Sequence, residues 1–198
     1  MPDDNKNPWG YTIAGILFIT IGLSVFTIRL AHAGPYVMPQ GAGLVGALAA
    51  IVIGGFLLWK NKPRFSGWIA IALATVASLP AIYSIGGEAQ EVISLYALDA
   101  EDGTIDLRLW IVDREDGAWV GMGREKAVTH KLDGARLEML RDGKMVCVTP
   151  ILYEDRTTVR EIHAMKVQKY KTAQIAGAVG LYPLQASPST VALRLDPC

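Results

Sequence analysis

Cysteine is scarce: the 198-residue chain has two, Cys147 and Cys198, and no CxxC pair. So few thiols, so far apart, exclude a thiolate zinc site. Cys147 lies in an apolar run and Cys198 is the last residue. They read as a small core hydrophobe and a frayed end, with pairing as the alternative in an oxidising compartment. Charge is missing from the first 85 residues, which carry only Lys6, Arg29, Lys60, Lys62 and Arg64 against Asp3 and Asp4. The remainder holds 14 basic and 17 acidic residues. A mildly acidic part offers no positive field to a phosphate backbone, so no nucleic acid is expected as a partner.

What the first part has instead is three apolar runs: "YTIAGILFITIGLSVFTIRLA" (Tyr11–Ala31), "GAGLVGALAAIVIGGFLLW" (ending at Trp59) and "FSGWIAIALATVASLPAIYSI" (Phe65–Ile85). A helix rises about 1.5 Å per residue, so runs of this length cross a hydrocarbon layer of about 30 Å. The expectation is an N-terminal tail (1–10), a three-helix transmembrane anchor (11–85) in a bacterial-type inner or plasma membrane, and a soluble β-rich domain (86–198). The lipid bilayer is the implied partner. No Asp, Glu, His or Lys lies inside a run, and intramembrane ionisable groups are the usual mark of an ion path. An anchor is therefore expected in place of a transporter. Small residues four apart, Gly46/Ala50/Gly54 and Ser66/Ala70/Ala74/Ser78, predict that the second and third helices pack together. Pro80 predicts a kink. The basic "KNKPR" loop puts the N-terminus inside and the soluble part outside the cytoplasm.

From Gly86 the pattern changes to short alternating segments. "EVISLYAL" and "IDLRLWIV" read as strands, with Leu107, Leu109 and Ile111 on one face and Arg108, Trp110 and Val112 on the other. Asp116-Gly117 and Asp142-Gly143 mark hairpin turns, returning as "AWVGM" and "KMVCVTPILY". Pro150, without an N–H, belongs at an edge or a bulge. Glu125–Leu132 reads as a short helix. Thr158 and Glu161 match a capping box for a helix running to about Lys171, burying Val159, Ile162 and Tyr170. His163 is expected on its exposed side. "TVALRLDP" closes the domain as a strand.

The stretch "RLWIVDREDGAWVGMGREKAVTHKLDGARLEMLRDGK", with the later helix ending in "KY" and the "LRLDP" strand, resembles the split β-barrel family of pyridoxamine-phosphate-oxidase-like proteins, and especially its deazaflavin-dependent nitroreductase branch. The likeness covers roughly Thr104 to Pro197. It implies a split-β-barrel-like domain with one main helix, often dimeric, so a homodimer through the soluble part is expected. It also implies FMN or a deazaflavin as cofactor. Arg124, Lys126 and Lys131 would then face its phosphate, with Thr129 a hydroxyl donor; Arg supplies a planar fork and Lys a point charge to an anion. The chain departs from the pattern at Glu125, where many members carry serine, and no Gly-rich cradle precedes it.

Two functions follow. One is a membrane-anchored reductase of a small or lipophilic quinone- or nitro-type acceptor, in which the cofactor performs the redox chemistry; this requires the domain in the cytoplasm. The other is a non-catalytic membrane-anchored β-domain for partner binding or envelope assembly, which the charge bias favours. Trp110 and Trp119 read as cross-strand packing in either case.

Overall fold

The computed structural model describes residues 8–31, 42–59, 67–98 and 103–198. The chain falls into two compact units that part between Gly86 and Gly87.

The first unit contains α1 (Pro8–Ala31), α2 (Ala42–Leu58) and most of α3 (Gly67–Glu88). Among the described residues one helix, Trp9–Ala31, is long and apolar enough to cross a membrane; Leu44–Leu58 is shorter. This overturns the expected three-helix transmembrane anchor. The 17 residues of α2 span about 25 Å, short of a hydrocarbon layer of about 30 Å. Helix α3 runs on through Gly86 into Gly87 and Glu88, which already belong to the second unit, and the Glu88 carboxylate is committed to Arg108 there. Residues 1–7 and the "KNKPR" loop lie outside the described residues, as does Ser66.

Glycine positions the two first helices against each other. A Cβ at Gly54 would stand 2.7 Å from Gly15 O, and one at Gly22 would stand 2.7 Å from Ala47 O. Both contacts are with backbone, so no rotamer change can relieve them. The stripe carrying Gly54 thus meets α1, where packing on α3 had been expected, while a Cβ at Gly46 would meet nothing within 4 Å. Helix α3 continues through Pro80.

The second unit is a closed barrel of six antiparallel strands in the order β1-β2-β3-β6-β5-β4, so the expected small β-barrel is present. The strands are β1 (Val92–Leu98), β2 (Thr104–Arg114), β3 (Gly117–Gly123), β4 (Leu137–Arg141), β5 (Lys144–Tyr153) and β6 (Thr190–Pro197). Alternation decides which side chains go inside. Leu107, Leu109 and Ile111 of β2 join Ile93, Leu95, Val120, Met139 and Leu193 in an aliphatic interior. Ala127 of α4 (Arg124–Thr129) and Leu132 just beyond it complete this core. The barrel is filled by its own side chains. The β4–β5 hairpin turns at Asp142 (φ 50°) and Gly143 (φ 73°), a pair of left-handed residues that an Asp-Gly turn supplies at low cost. Pro150 faces Leu195 of β6 at a point beyond the last β4 partner, Leu137↔Val148, so its missing N–H breaks no ladder bond.

Helix α5 (Arg156–Lys169) and helix α6 (Lys171–Ala178) complete the unit, α5 lying over the outside of β2, β3 and β6. The N-cap is Asp155, whose Oδ1 accepts from Thr158 N at 2.8 Å, so the capping box read at Thr158 and Glu161 starts too late. Between α5 and the barrel lie Val112, Trp119, Val159, Ile162 and Tyr170. Tyr170, 1 % exposed, has its hydroxyl accepting from Ile111 N at 2.9 Å and donating towards Ile111 O at 2.6 Å and Glu91 O at 2.8 Å. Burial pushes this phenol above its ordinary value. Phenylalanine at Tyr170 would strand the Ile111 N–H, and a loss of about 2 kcal/mol in unfolding free energy is expected. Denaturant midpoints would measure it; an unchanged midpoint would mean that water replaces the hydroxyl.

Candidate functional site

The basic corner expected to grip a phosphate is at the β3–α4 junction. Gly123, extended at φ −68° and ψ 137°, precedes α4 without a side-chain cap. The Arg124 N–H is given to Ser189 O at 2.7 Å, so the first amide of α4 is engaged within the chain. The Arg124 guanidinium is paired too, its Nε donating to Glu154 Oε1 at 2.8 Å. Lys126, Thr129 and Lys131 are exposed, and Lys131 takes a left-handed backbone (φ 48°) as the chain leaves the helix. The structure thus brings all four residues onto one short turn of chain. Their side chains lie on the surface, with Glu125 exposed among them, and none is buried around an enclosed anion hole. In the single chain these four are surface donors that enclose no phosphate by themselves.

A different cluster is buried. Along α5 the residues Val159, Ile162, His163 and Lys166 share the face turned to the barrel, continued by Tyr170. His163 is 5 % exposed and Lys166 is 8 % exposed, a correction to the expectation of an exposed His163. The reason is the helix period: positions 159, 162, 163, 166 and 170 follow three- and four-residue steps along one side. His163 Nε2 lies 2.8 Å from Pro183 O; a carbonyl only accepts, so the proton sits on Nε2 and Nδ1 keeps its lone pair. That buried Nδ1 has no hydrogen-bond partner. Burial holds His163 below its ordinary value, the Pro183 carbonyl opposing and the Lys166 charge adding to the effect.

Lys166 Nζ lies 5.9 Å from the Tyr182 ring centroid, and no acceptor or carboxylate among the described residues pairs with it. Burial alone pulls the ammonium down to about 8. Beneath Nζ is Gly121 of β3, where a Cβ would come within 3.4 Å of it. Tyr182 stacks parallel to His163 at 5.8 Å and is tilted against Trp110 at 5.7 Å; Trp110 in turn stacks on Tyr170 at 4.7 Å. The loop carrying Tyr182 is tied down at its far end by Arg156, whose guanidinium donates to the carbonyls of Ala186, Ser187, Pro188 and Thr190. Sequence reading missed this cluster, although its signal was present. The apolar stripe of α5 carries Lys166 at a core position, and no charged residue occurs between Lys171 and Arg194.

A third group is an ion-pair network. Arg141 of β4 donates to both Asp113 oxygens at 2.8 and 2.7 Å and to Glu91 at 2.8 Å, and Lys169 pairs with Glu91. Burial pushes the Glu91 carboxyl up, but Lys169 and Arg141 outweigh it and hold the group below its usual range; the Arg141 hydrogen bonds do the same for Asp113. With every member partnered, the network ties Glu91, the residue before β1, to β2, β4 and α5. Elsewhere an open groove of about 510 Å³ runs past Tyr96, Leu98, Thr104, Arg136 and Glu138. No group of His, Cys, Asp and Glu among the described residues is placed to hold a metal ion.

The two cysteines are joined. Cys147 and Cys198 form a disulfide with a Cα–Cα distance of 5.4 Å, extending the β5–β6 pairing that ends at Val148↔Pro197. Reading them as a core thiol and a frayed end is therefore corrected: register places residue 198 opposite residue 147.

No protein-family model and no curated protein matches the chain. Among solved structures it is similar to HutZ, the haem storage protein from Vibrio cholerae, with 12 % identity over 61 % of this chain and 89 % of that one and a TM-score of 0.42. It is also similar to a putative pyridoxamine 5'-phosphate oxidase from Listeria innocua, with 14 % identity, coverage of 57 % and 87 %, and a TM-score of 0.38. A conserved hypothetical protein from Mycobacterium tuberculosis gives 12 % identity, coverage of 61 % and 80 %, and a TM-score of 0.40.

Proposed function

We propose that the chain is a membrane-attached barrel module on the extracytoplasmic side, held by α1, that binds a partner or ligand without carrying out redox chemistry. The Cys147–Cys198 disulfide carries this reading, because such bonds form and persist in oxidising compartments and are rare in the reducing cytosol. Two further features support it: the aliphatic filling of the barrel, and the engagement of Arg124 by Glu154.

The second reading is the FMN- or deazaflavin-dependent reductase of a quinone- or nitro-type acceptor. It is favoured by the β3–α4 corner, which sets Arg124, Lys126, Thr129 and Lys131 on the turn where the split-barrel resemblance expects phosphate contacts. A homodimer through the barrel would complete such a site.

One experiment separates the two. Alkylation of the full-length protein in intact cells, with and without prior reduction, is expected to find both thiols blocked until reductant is added. The purified protein is then expected to show no flavin or deazaflavin absorbance and no saturable binding of either cofactor. Free thiols in the native membrane, together with saturable binding that Arg124→Ala and Lys126→Ala abolish, would establish the reductase and sink the binding module.

A further inference from the structure

We propose that Lys166 and His163 form a binding site for the head of an anionic amphiphile, a carboxylate with an apolar body, on the outer wall of the barrel beneath Tyr182. The site does not depend on the compartment in which the barrel resides, because it is built from groups of the α5 face and their neighbours alone.

The first ground is a buried cation lacking an anion. Lys166 is 8 % exposed, and among the described residues it meets an aromatic ring and bare backbone but no carboxylate. Desolvating an ammonium is costly, and buried charges are ordinarily paired. A ligand carboxylate supplies the missing partner.

The second ground is an acceptor lacking a donor, one helical turn away. His163 Nε2–H is spent on Pro183 O, leaving Nδ1 buried and unpartnered. A carboxyl group meets both needs: one oxygen accepts from Lys166 Nζ, while the proton taken up with the ligand is shared between its other oxygen and Nδ1. Neither a simple cation nor a neutral hydrocarbon satisfies the pair.

The third ground is the surroundings. Gly121, without a side chain, lets Nζ lie against the β3 backbone. Around the covering loop, Ile175, Val179, Leu181 and Leu184 stand 69 %, 66 %, 59 % and 54 % exposed. With no charge between Lys171 and Arg194, this is the uncharged part of a charged domain. It offers an apolar body a surface beside the buried head site.

Thermal unfolding of the full-length protein in phosphatidylcholine nanodiscs tests the site, with octanoate as the probe and octanol as the matched uncharged chain. Octanoate is expected to raise the midpoint saturably, because a ligand that binds only the folded state stabilises it. Octanol is expected to leave the midpoint unchanged. In Lys166→Met the octanoate affinity should fall by roughly 10- to 100-fold, the range for losing a hydrogen bond to a charged group, whereas Lys144→Ala, at an exposed position of β5, should respond like the parent. Equal shifts from octanoate and octanol would overturn the proposal, as would an unaltered octanoate response in Lys166→Met. Stabilisation by phosphatidylglycerol added to the discs, with none by octanoate, would overturn the assignment to a carboxylate and identify the source as a lipid headgroup phosphate.

Discussion

Serine at both Cys147 and Cys198 is expected to lower the unfolding free energy by about 4 kcal/mol. The bond closes a loop with a sequence separation of 51. Removing it returns that loop's conformational freedom to the unfolded chain, and the chain-entropy relation for a loop of this size gives a value of about 4 kcal/mol. The folded state loses little beyond the bond, since Cys198 N still reaches Cys147 O at 3.3 Å. The effect should therefore appear as earlier unfolding with an unchanged barrel spectrum. Adding reductant to the parent should reproduce it, and a reductant-insensitive denaturation midpoint would contradict it.

Methionine at Lys166 should do the reverse and stabilise the barrel by about 3 kcal/mol at pH 7. The ammonium titrates at about 8 in the folded protein against 10.5 in its ordinary state, and each tenfold change in proton affinity corresponds to about 1.4 kcal/mol. The sign follows from proton counting. Between pH 8 and 10.5 the unfolded chain binds more protons than the folded one, so the parent gains stability as pH rises through that window. Below about pH 8 the full penalty is present. The methionine variant lacks the titrating group and should show no such rise. Burial is the one cause of the shift, with no carboxylate among the described residues offsetting the ammonium. Unfolding curves at about pH 7 and above about pH 10 measure both effects; a variant no more stable than the parent at neutral pH would refute the assignment. A residue that costs the fold this much is a candidate for function, because perturbed groups cluster at binding and catalytic sites.

Much of the barrel is legible in the sequence, because strand alternation is local. Leu107, Leu109 and Ile111 announce an inward face from their spacing alone, and they line the interior. Asp142-Gly143 likewise announces a turn whose left-handed pair is found there. The apolar run from Tyr11 is equally plain, and α1 covers it. The number of spanning helices is not, because apolar composition alone cannot say where a helix stops. Helix α3 runs on to Glu88, which the Arg108 pair claims.

The sequence by itself determines the two-part organisation, the strand faces, the hairpin turns and the main helix, since each depends on residues within a few positions of one another. Only the tertiary structure decides the rest. Barrel closure depends on β1 meeting β4 and β3 meeting β6, contacts between distant segments that no local period encodes. That closure aligns Cys198 with Cys147 and makes a disulfide of two ordinary thiols. It also folds the Tyr182 loop over α5, so that Lys166, on a stripe readable as ordinary helix, ends as a buried cation. The reason is common to both: what neighbours a side chain in three dimensions sets its chemistry, and those neighbours arrive only when the sheet closes.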